Sequence, residues 1–465
     1  MKKLLLLLLL AVFCISGILA KPVPEDIARK VATNFFLNIS GYKAGDIKIS
    51  KCLTERYNNN NSCYIFHFQT KGFVIVAADD AVIPILGYSF EEQPEDTEIH
   101  PALAELLKKY SIQIDYAAKQ DKTDEDIAQY WEDILNNNLP QRDNVQYGKL
   151  STKWGQKYPY NKYTPSDQQA IDGCNKHCPA GCVAVAMAQV MKYHECPATY
   201  GQGTSSYTHP VYGYLYANHQ STLYAWPLMP NYLTPWTPSA YVNQVARLIY
   251  HCGVAGEMNY GPNCSTMGVD DAADAMDDHF YYNNCQVKTR FAVDSDWINY
   301  LKDLLDDDLP ILYRGMSHMF VLDNYDVGKT TIFHVNWGWA GLYDGWFTIN
   351  NLAAGGHNFN GVWEEIILYT PAQGKGSTGI SEDIYDLSDK VNLYPNPNNG
   401  KFYVNLTDNS ADKNISISDI TGRVVFQENN INNNISIDLS GMNSGVYMVK
   451  IYNDTECELQ KIIVQ

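Results

Sequence analysis

Cys182 stands at the start of a long apolar segment, in a position where a helix could activate its thiol. Residues 181–197 have the sequence GCVAVAMAQVMKYHECP, and the twelve residues after Cys182 contain neither glycine nor proline. This composition predicts a buried helix that begins at Cys182 and ends before Pro197. Unpaired N–H groups and the dipole at a helix N-terminus favour a thiolate, the form that a cysteine nucleophile needs. The competing interpretation is a small core residue or one half of a disulfide.

A general base for such a thiol is predicted downstream, in a pair of strands. His318 opens the apolar run SHMFVLDNYD, which a polar turn, DVGK, separates from a second run, TIFHVNWGW. A hairpin centred near residues 327–328 would place His318 opposite Asn336 and Trp337, give or take one position. The Asn336 amide could then accept a hydrogen bond from the imidazole, and the Trp337 indole would cover the pair from water.

Two other residues bear on this chemistry. His334 shares a strand face with Asn336 and is the competing base. Gln156, in KWGQKYPYN, lies upstream of the nucleophile, and its side-chain amide could stabilise an oxyanion together with the Cys182 backbone N–H. The alternative for Gln156 is an ordinary solvent-facing loop residue.

The elements that must position these residues fall into several units. Residues 1–20 hold two lysines, an apolar run and a terminal Ala20, which predicts a secretory signal; the alternative is a retained membrane anchor. Residues 21–147 predict a mixed unit of helices and strands, and residues 148–371 form the unit with the candidate site. A polar linker, 372–391, precedes short alternating strands over 392–465, which predict a small β-sandwich. The fold class is therefore α+β with a small all-β domain at the C-terminus.

Composition limits the classes of partner. The net charge of -18, from 52 acidic and 34 basic residues, argues against nucleic acid as a partner, because phosphate binding needs clustered Lys and Arg. The apolar run in the signal is short and no second candidate span follows it, so we expect no membrane span after signal removal. The polar stretch between about 133 and 150 predicts an exposed joint that proteases can cut.

The cysteines are compatible with an oxidising compartment. Cys52 and Cys63 flank the polar run NNNNS, and the sequence predicts that a disulfide staples this hairpin. Cys174 and Cys178 lie close to the candidate nucleophile in CNKHCPAGC. A disulfide or free thiols there are favoured over a metal site, since zinc more often uses tighter cysteine pairs. No metal and no cofactor is predicted.

Five ordered segments of the middle unit resemble the streptopain family of papain-like cysteine peptidases. They are KWGQKYPYN, GCVAVAMAQVMKYH, MNYGPNCSTMG, HMFVLDNYD and FHVNWGWAGLYDGWF. The first unit, through GFVIVAADDAVIPILGYS, is similar to the propeptide of that family. The resemblance implies a papain-like α+β catalytic domain, synthesis as a zymogen, and proteolytic removal of an inhibitory propeptide.

The resemblance also implies roles for single residues. Cys182 matches the nucleophile, His318 the base and Gln156 the oxyanion residue, while Asn336 and Trp337 match the residues that accompany the histidine.

Thr266 and Ser317 fall where the family contacts substrate, and Met267 with Val269 could line a pocket for an apolar substrate side chain. Two features depart from the family: the additional cysteines of CNKHCPAGC, and a short loop, RGMS, before the histidine.

The C-terminal unit resembles a different group of domains. LYPNPNNGKFYVNL, DITGRVVF, SGVYMVKI and the terminal KIIVQ are similar to the sorting domain that the type IX secretion system of Bacteroidetes recognises. The alternative is a carbohydrate-binding or adhesive sandwich. The resemblance implies a secreted or outer-surface protein of a Gram-negative, Bacteroidetes-like cell, with the type IX machinery as a partner.

The function expected from the sequence is that of a secreted cysteine endopeptidase, made as a zymogen and acting on proteins or peptides. Two alternatives stay open. A papain-like cell-wall peptide amidase would use the same thiol on peptidoglycan, and a surface adhesin would keep the fold without catalysis.

Overall fold

A computed structural model describes the chain over most of its length. The described residues are 20–91, 99–120, 123–140, 147–349, 352, 364–372, 391–406, 413–419, 424–431, 435–452 and 457–465. The predicted signal, most of the linker and part of the predicted joint lie outside these residues. The chain divides into two compact units, Met1–Gly376 and Ser377–Gln465. In the described segments, no helix combines the length and apolar character needed to cross a membrane.

The first part of the larger unit packs helices against strands. Its elements are α1 (Glu25–Ser40), β1 (Ile49–Tyr57), β2 (Asn60–Phe68), β3 (Phe73–Ala77), β4 (Ile85–Ser89), α2 (Pro101–Lys119) and α3 (Glu125–Leu135). The predicted mixture of helices and strands is present. Helix α1 buries one face, with Ala28, Val31, Ala32, Phe35, Phe36 and Ile39 at three- and four-residue spacing.

The predicted Cys52–Cys63 disulfide is wrong. Strands β1 and β2 do form the expected hairpin, but Cys52 pairs with Phe66 and Cys63 pairs with Glu55. Three positions along a strand separate the two cysteines by about 10 Å, more than the ~7 Å that a disulfide can bridge. Both cysteines are free thiols.

The rest of the larger unit carries the candidate site. Its helices are α4 (Cys182–His194), α5 (Ser239–Ala255), α6 (Val269–Phe280) and α7 (Asp294–Asp306). Its strands are β5 (Thr204–His209), β6 (Gly213–Asn218), β7 (Tyr282–Thr289), β8 (Ile311–Gly315), β9 (His318–Val327), β10 (Thr331–Asn336), β11 (Gly345–Phe347) and β12 (Glu365–Pro371). The α+β fold is as expected, and helix α4 begins at Cys182 as predicted, with buried residues on nearly all sides.

One antiparallel sheet joins the two parts of this unit. Its strand order is β1-β2-β3-β4-β11-β10-β9-β8-β12-β7. At the junction of β4 with β11, Trp346 pairs with Tyr88 and Phe347 with Gly87. A Cβ at Gly87 would lie 2.7 Å from the Phe347 ring, so only glycine allows this approach. The N-terminal part therefore extends the sheet that carries the catalytic strands.

The hairpin of β9 and β10 differs in register from the prediction. Thr331 pairs with Val327 across a three-residue loop, and a bulge at Asp323 makes Asn336 pair with Val321. His318 consequently lies two to three positions beyond the predicted partners. The extra residue in the bulge brings the Asp323 carboxylate onto His334, at 2.6 Å.

The smaller unit is the predicted β-sandwich. Its strands are β13 (Val391–Tyr394), β14 (Lys401–Leu406), β15 (Lys413–Asp419), β16 (Val424–Ile431), β17 (Ile435–Asp438), β18 (Gly445–Tyr452) and β19 (Cys457–Val464). They form one sheet of order β13-β14-β17 and another of order β16-β15-β18-β19. Alternate residues such as Phe402, Val404, Ile415, Ile417 and Val449 fill the core.

Candidate active site

Cys182 occupies the first position of α4, after a glycine that the packing requires. Gly181 has φ of 88°, and a Cβ there would lie 2.6 Å from the methyl carbon of Met258. The Cys182 Sγ accepts a hydrogen bond from the Met319 N–H at 3.5 Å. Burial raises the pKa of this thiol, but the His318 charge and hydrogen bond together with backbone N–H groups outweigh it and hold the pKa below its ordinary value.

A tight turn places His318 at the first residue of β9. Gly315 pairs with His318, so only Met316 and Ser317 connect β8 to β9. Both connecting residues have positive φ, 55° and 56°, as a two-residue hairpin turn requires. Because neither is glycine, this turn stores backbone strain of about 1 kcal/mol or more per residue beside the candidate base.

The His318 ring is enclosed by aromatic side chains and oriented by a backbone carbonyl. Its Nε2 donates to the Trp337 oxygen at 2.8 Å, and its ring stacks 6.2 Å from that of Trp339. Burial lowers the pKa of His318, yet the contact with Cys182 and the Trp337 carbonyl outweigh it and raise the pKa above its usual value. The two opposite shifts favour a thiolate beside an imidazolium.

The Asn336 amide lies near the base but bonds to other partners. Its Nδ2 donates to the Thr152 oxygen at 2.7 Å, while its Oδ1 accepts from Gln189 at 2.9 Å and from the Gly338 N–H at 3.1 Å. The backbone oxygen of Trp337, and not the Asn336 amide, therefore accepts the hydrogen bond from His318. The shifted register of β9 and β10 accounts for this difference.

Three hydrogen bonds hold Trp337. Besides accepting from His318, it donates its backbone N–H to Asp344 at 2.8 Å and its indole N–H to the Tyr343 oxygen at 3.0 Å. Burial raises the pKa of Asp344 to about 7. Asp344 was not anticipated, and the only sequence signal is a lone acidic residue in the aromatic segment GLYDGWF.

Gln156 lies beside the approach to the nucleophile. Its backbone oxygen accepts from the Ala180 N–H at 2.8 Å, two residues before Cys182. Its Nε2 is buried and, among the described residues, has no hydrogen-bond partner. An unpaired buried donor is costly, so its presence here indicates a group kept for a ligand or a transient charge.

His334, the competing base, is engaged away from Cys182. Its Nδ1 lies 2.6 Å from Asp323 Oδ1, and the other carboxylate oxygen accepts from the Leu150 N–H at 2.6 Å. This buried pair fastens the start of the catalytic part to β9 and β10. The geometry brings His318, not His334, to the thiol.

The residues expected to contact substrate flank the nucleophile. Ser265 donates to the Pro179 oxygen at 2.6 Å, which holds its neighbour Thr266, an exposed residue, beside the start of α4. Met267 is half-buried and packs over Gly256. Ser317 lies in the turn before His318, and Val269 is buried at the start of α6.

Comparison with known proteins identifies this arrangement. A model described as the peptidase C10 family matches residues 154–347, which include Gln156, Cys182, His318 and Asn336. Over these residues the chain is similar to the peptidase C10 family. Models described as the Spi protease inhibitor and the secretion system C-terminal sorting domain match residues 20–114 and 392–465. The protein is therefore a cysteine peptidase with an inhibitor-like propeptide and a type IX sorting tail that directs it to the cell surface or beyond.

Individual relatives agree with this assignment. Streptopain of Streptococcus pyogenes is 28% identical over 411 residues, which cover 80% of this chain and 100% of that protein. The thiol protease/hemagglutinin PrtT of Porphyromonas gingivalis is 24% identical, covering 85% of this chain but 49% of PrtT. The solved structure of a prointerpain A fragment from Prevotella intermedia is 27% identical, with a TM-score of 0.55, and covers 70% of this chain and 99% of that one.

In this streptopain-like peptidase, the propeptide-like part reaches the aromatic side chains around His318. His100 stacks on Trp339 at 5.5 Å with an interplanar angle of 8° and lies 5.1 Å from the Trp337 ring. Its Nδ1 accepts from the Leu103 N–H at 3.2 Å and so caps helix α2. Two ion pairs, Glu91 with Lys153 and Lys109 with Glu364, add to this interface. The Lys109–Glu364 pair is largely buried.

Acidification is expected to destabilise the precursor through His100. Burial, with a smaller effect of His318, lowers the pKa of His100 from 6.5 to about 3. Between these values the unfolded chain binds a proton that the folded precursor does not, so stability falls as the pH drops below about 6.5. From pH 6.5 to 5, His100 should cost about 2 kcal/mol of the free energy of unfolding.

Thermal unfolding of the intact precursor at both pH values measures this effect. The His100→Asn variant keeps an acceptor for the Leu103 N–H but does not titrate, so its Tm should fall less than that of the wild type. Other histidines with pKa values lowered by burial, His67, His194, His219 and His251, affect both proteins alike. An equal fall in Tm for the two proteins would contradict the prediction.

Proposed function

We propose that this chain is a secreted cysteine endopeptidase in which Cys182 is the nucleophile and His318 the general base and acid. The observation that carries the proposal is the position of the Cys182 thiol at the first residue of α4, where it accepts from the Met319 N–H and contacts the His318 imidazole. The lowered pKa of the thiol and the raised pKa of the imidazole agree with a thiolate–imidazolium pair, and the N-terminus of α4 adds to the stabilisation of the thiolate.

Hydrolysis would proceed in two steps. The Cys182 thiolate attacks the peptide carbonyl, and the oxyanion receives hydrogen bonds from the Gln156 side chain and the Cys182 N–H. The His318 imidazolium protonates the leaving amine as the C–N bond breaks, which leaves a thioester on Cys182. His318 then takes a proton from water as the water oxygen attacks the thioester. The Cys182 thiolate leaves as the carboxylic acid product is released, which restores the thiolate–imidazolium pair.

The Trp337 carbonyl is the proposed orienter of His318, with the Trp337 indole covering the pair. Asn336 would act through the Gly338 N–H rather than on the imidazole directly. Thr266 and Ser317 are proposed to contact substrate backbone and side chains, and Met267 to line the pocket for an apolar side chain.

The N-terminal part is proposed to keep the enzyme latent until the joint between about 133 and 150 is cut, with the catalytic domain starting near residue 148. Its sheet pairing at β4–β11 and the stacking of His100 on Trp339 support this proposal. Export is proposed to use the signal over 1–20 and then the tail over 392–465, in a Gram-negative, Bacteroidetes-like cell. Residues 372–391 would link the tail to the enzyme.

Covalent labelling tests the nucleophile. The precursor without residues 1–20 is treated with an epoxysuccinyl inhibitor under mild reduction, before and after an added protease cuts the joint, and the modified residue is mapped by mass spectrometry. We expect the label on Cys182, at a rate that rises once the joint is cut. Cys264 is the internal control, because it is exposed and a reagent that selected only for exposure would modify it first.

Three outcomes separate the alternatives. Labelling of Cys182 together with cleavage of denatured protein supports the endopeptidase. Labelling with hydrolysis of peptidoglycan peptides alone would instead indicate the amidase. No labelling of Cys182 even after the joint is cut would overturn the proposal in favour of the adhesin.

A further inference from the structure

Gln189 is a buried polar residue in an otherwise apolar helix. It lies on α4 seven residues, or two helical turns, after Cys182, so both side chains leave the helix on the same side. Its neighbours on α4, from Val183 to Met191, are buried and apolar, and Gln189 itself is 0% exposed. A polar group in such a core is tolerated only when its hydrogen bonds are made.

Both the oxygen and the nitrogen of the Gln189 amide are hydrogen-bonded, and the two partners lie on different segments around the site. Oε1 accepts from the Trp154 N–H at 3.1 Å, and Nε2 donates to Asn336 Oδ1 at 2.9 Å. Trp154 lies two residues before Gln156, and its own oxygen accepts from the Ala340 N–H at 3.0 Å. Gln189 thus ties the nucleophile helix to the segment that carries Gln156.

The second bond of Gln189 reaches the peptide that orients the base. Asn336 Oδ1, which accepts from Gln189, also accepts from the Gly338 N–H at 3.1 Å. That N–H and the Trp337 oxygen, which accepts from His318 at 2.8 Å, belong to the same peptide group. One line of hydrogen bonds therefore runs from the His318 imidazole through the 337–338 peptide and Asn336 to Gln189.

This peptide needs an anchor, because the residue after it is a glycine. Gly338 has φ of 69°, and glycine populates positive and negative φ about equally, so the 337–338 peptide could turn over at little cost. Turning it would remove the Trp337 oxygen from His318. The hydrogen bond from the Gly338 N–H to Asn336 opposes this rotation only while the Asn336 amide keeps its orientation. Hydrogen bonds to Gln189 and to the Thr152 oxygen hold the amide in that orientation.

We infer that Gln189 is a positioning residue for this peptidase: it holds the 337–338 peptide against His318 and, through Trp154, the segment that carries Gln156. The inference rests on the proposed roles of His318 and Gln156. A purely structural role, as a satisfied polar group of the core, is the alternative. The two differ because only positioning changes the ionisation of the thiolate–imidazolium pair and the rate of the bound complex.

The test replaces Gln189 by methionine, which has a similar length and a high helix propensity but neither hydrogen bond. In the processed enzyme kcat should fall at least tenfold while KM stays within about threefold. The alkaline limb of the pH profile of kcat/KM should move to lower pH, because the imidazolium loses its oriented acceptor.

Tyr224→Phe is the matched control. Its hydroxyl bonds His219 and His251 in the same hydrophobic core, away from the thiol, so the variant also removes buried hydrogen bonds. It should lower Tm without moving kcat or the pH profile. If Gln189→Met lowers Tm in the same way and leaves kcat and the alkaline limb unchanged, the positioning role is overturned.

Gln189→Glu covers the case in which the methionine variant does not fold. A protonated glutamic acid can donate to Asn336 and accept from Trp154, whereas an ionised one can only accept. Its activity should approach that of wild type in acid and acquire a further loss at higher pH that wild type lacks. A profile parallel to that of wild type would overturn the inference. Failure of the proposed function would look different, since wild type itself would then not be labelled at Cys182.

Discussion

Replacing His318 by glutamine should lower kcat/KM of the processed enzyme by about 10⁴-fold. General acid–base catalysis alone supplies up to about that factor, and His318 also stabilises the thiolate that it touches. Cys182 in the variant should lose its lowered pKa, because the His318 charge and hydrogen bond are the main groups that oppose the effect of burial. Steady-state hydrolysis of a peptide substrate and the pH dependence of Cys182 alkylation measure the two effects.

His334→Gln is the control for this prediction. His334 is also a buried histidine of the hairpin, but its Nδ1 bonds Asp323, whose other oxygen accepts from the Leu150 N–H. Glutamine can still bond Asp323, so we expect activity within about threefold of wild type and a lower Tm. If His334→Gln lost as much activity as His318→Gln, the assignment of His318 as the base would be wrong.

Replacing Gln156 by alanine should lower kcat by about 10²- to 10³-fold, the effect typical of removing one oxyanion donor. KM should change little, because this donor acts on the charge that develops in the transition state and not on the bound substrate. The free energy of unfolding of the precursor, in contrast, should rise or stay constant. The Gln156 Nε2 is buried without a partner among the described residues, so its removal relieves a cost of desolvation.

Kinetics of the processed enzyme and thermal unfolding of the precursor, measured on the same variant, check this pair of effects. Gln169→Ala is the control, since Gln169 is an exposed glutamine of the catalytic part and should affect neither quantity. A large loss of stability in Gln156→Ala, or a loss of activity expressed mainly in KM, would contradict the role in oxyanion stabilisation.

The shared sheet joins the N-terminal part to the part with the candidate site through backbone pairing. Strand β4 adds to β11 by backbone pairing, and β11 is joined to β10, whose last residue is Asn336. Release of the N-terminal part would expose the edge of β11, with its backbone groups unpaired. The precursor conformation therefore gains stability from bonds that the processed enzyme must replace with water.

The amino-acid sequence alone predicted the features that depend on contiguous residues. The helix beginning at Cys182, the strands around His318 and the C-terminal sandwich follow from hydrophobic periodicity and from glycine or proline at the boundaries. His318 could be named from the sequence because a cysteine nucleophile requires a base, whereas the role of Gln156 depended on the resemblance to the streptopain family.

Tertiary structure decided the features that depend on register and on distant pairing. The loop between β9 and β10 is centred at Lys329, later than predicted, and this places His318 past Asn336. A backbone oxygen, which no sequence pattern marks, becomes its acceptor. The same sensitivity to register separates Cys52 from Cys63. Gln189 looked like one polar residue in an apolar helix, and only the folded chain brings Trp154 and Asn336 to its two ends. Side-chain periodicity is local, whereas register and these long-range contacts are set by packing throughout the folded unit.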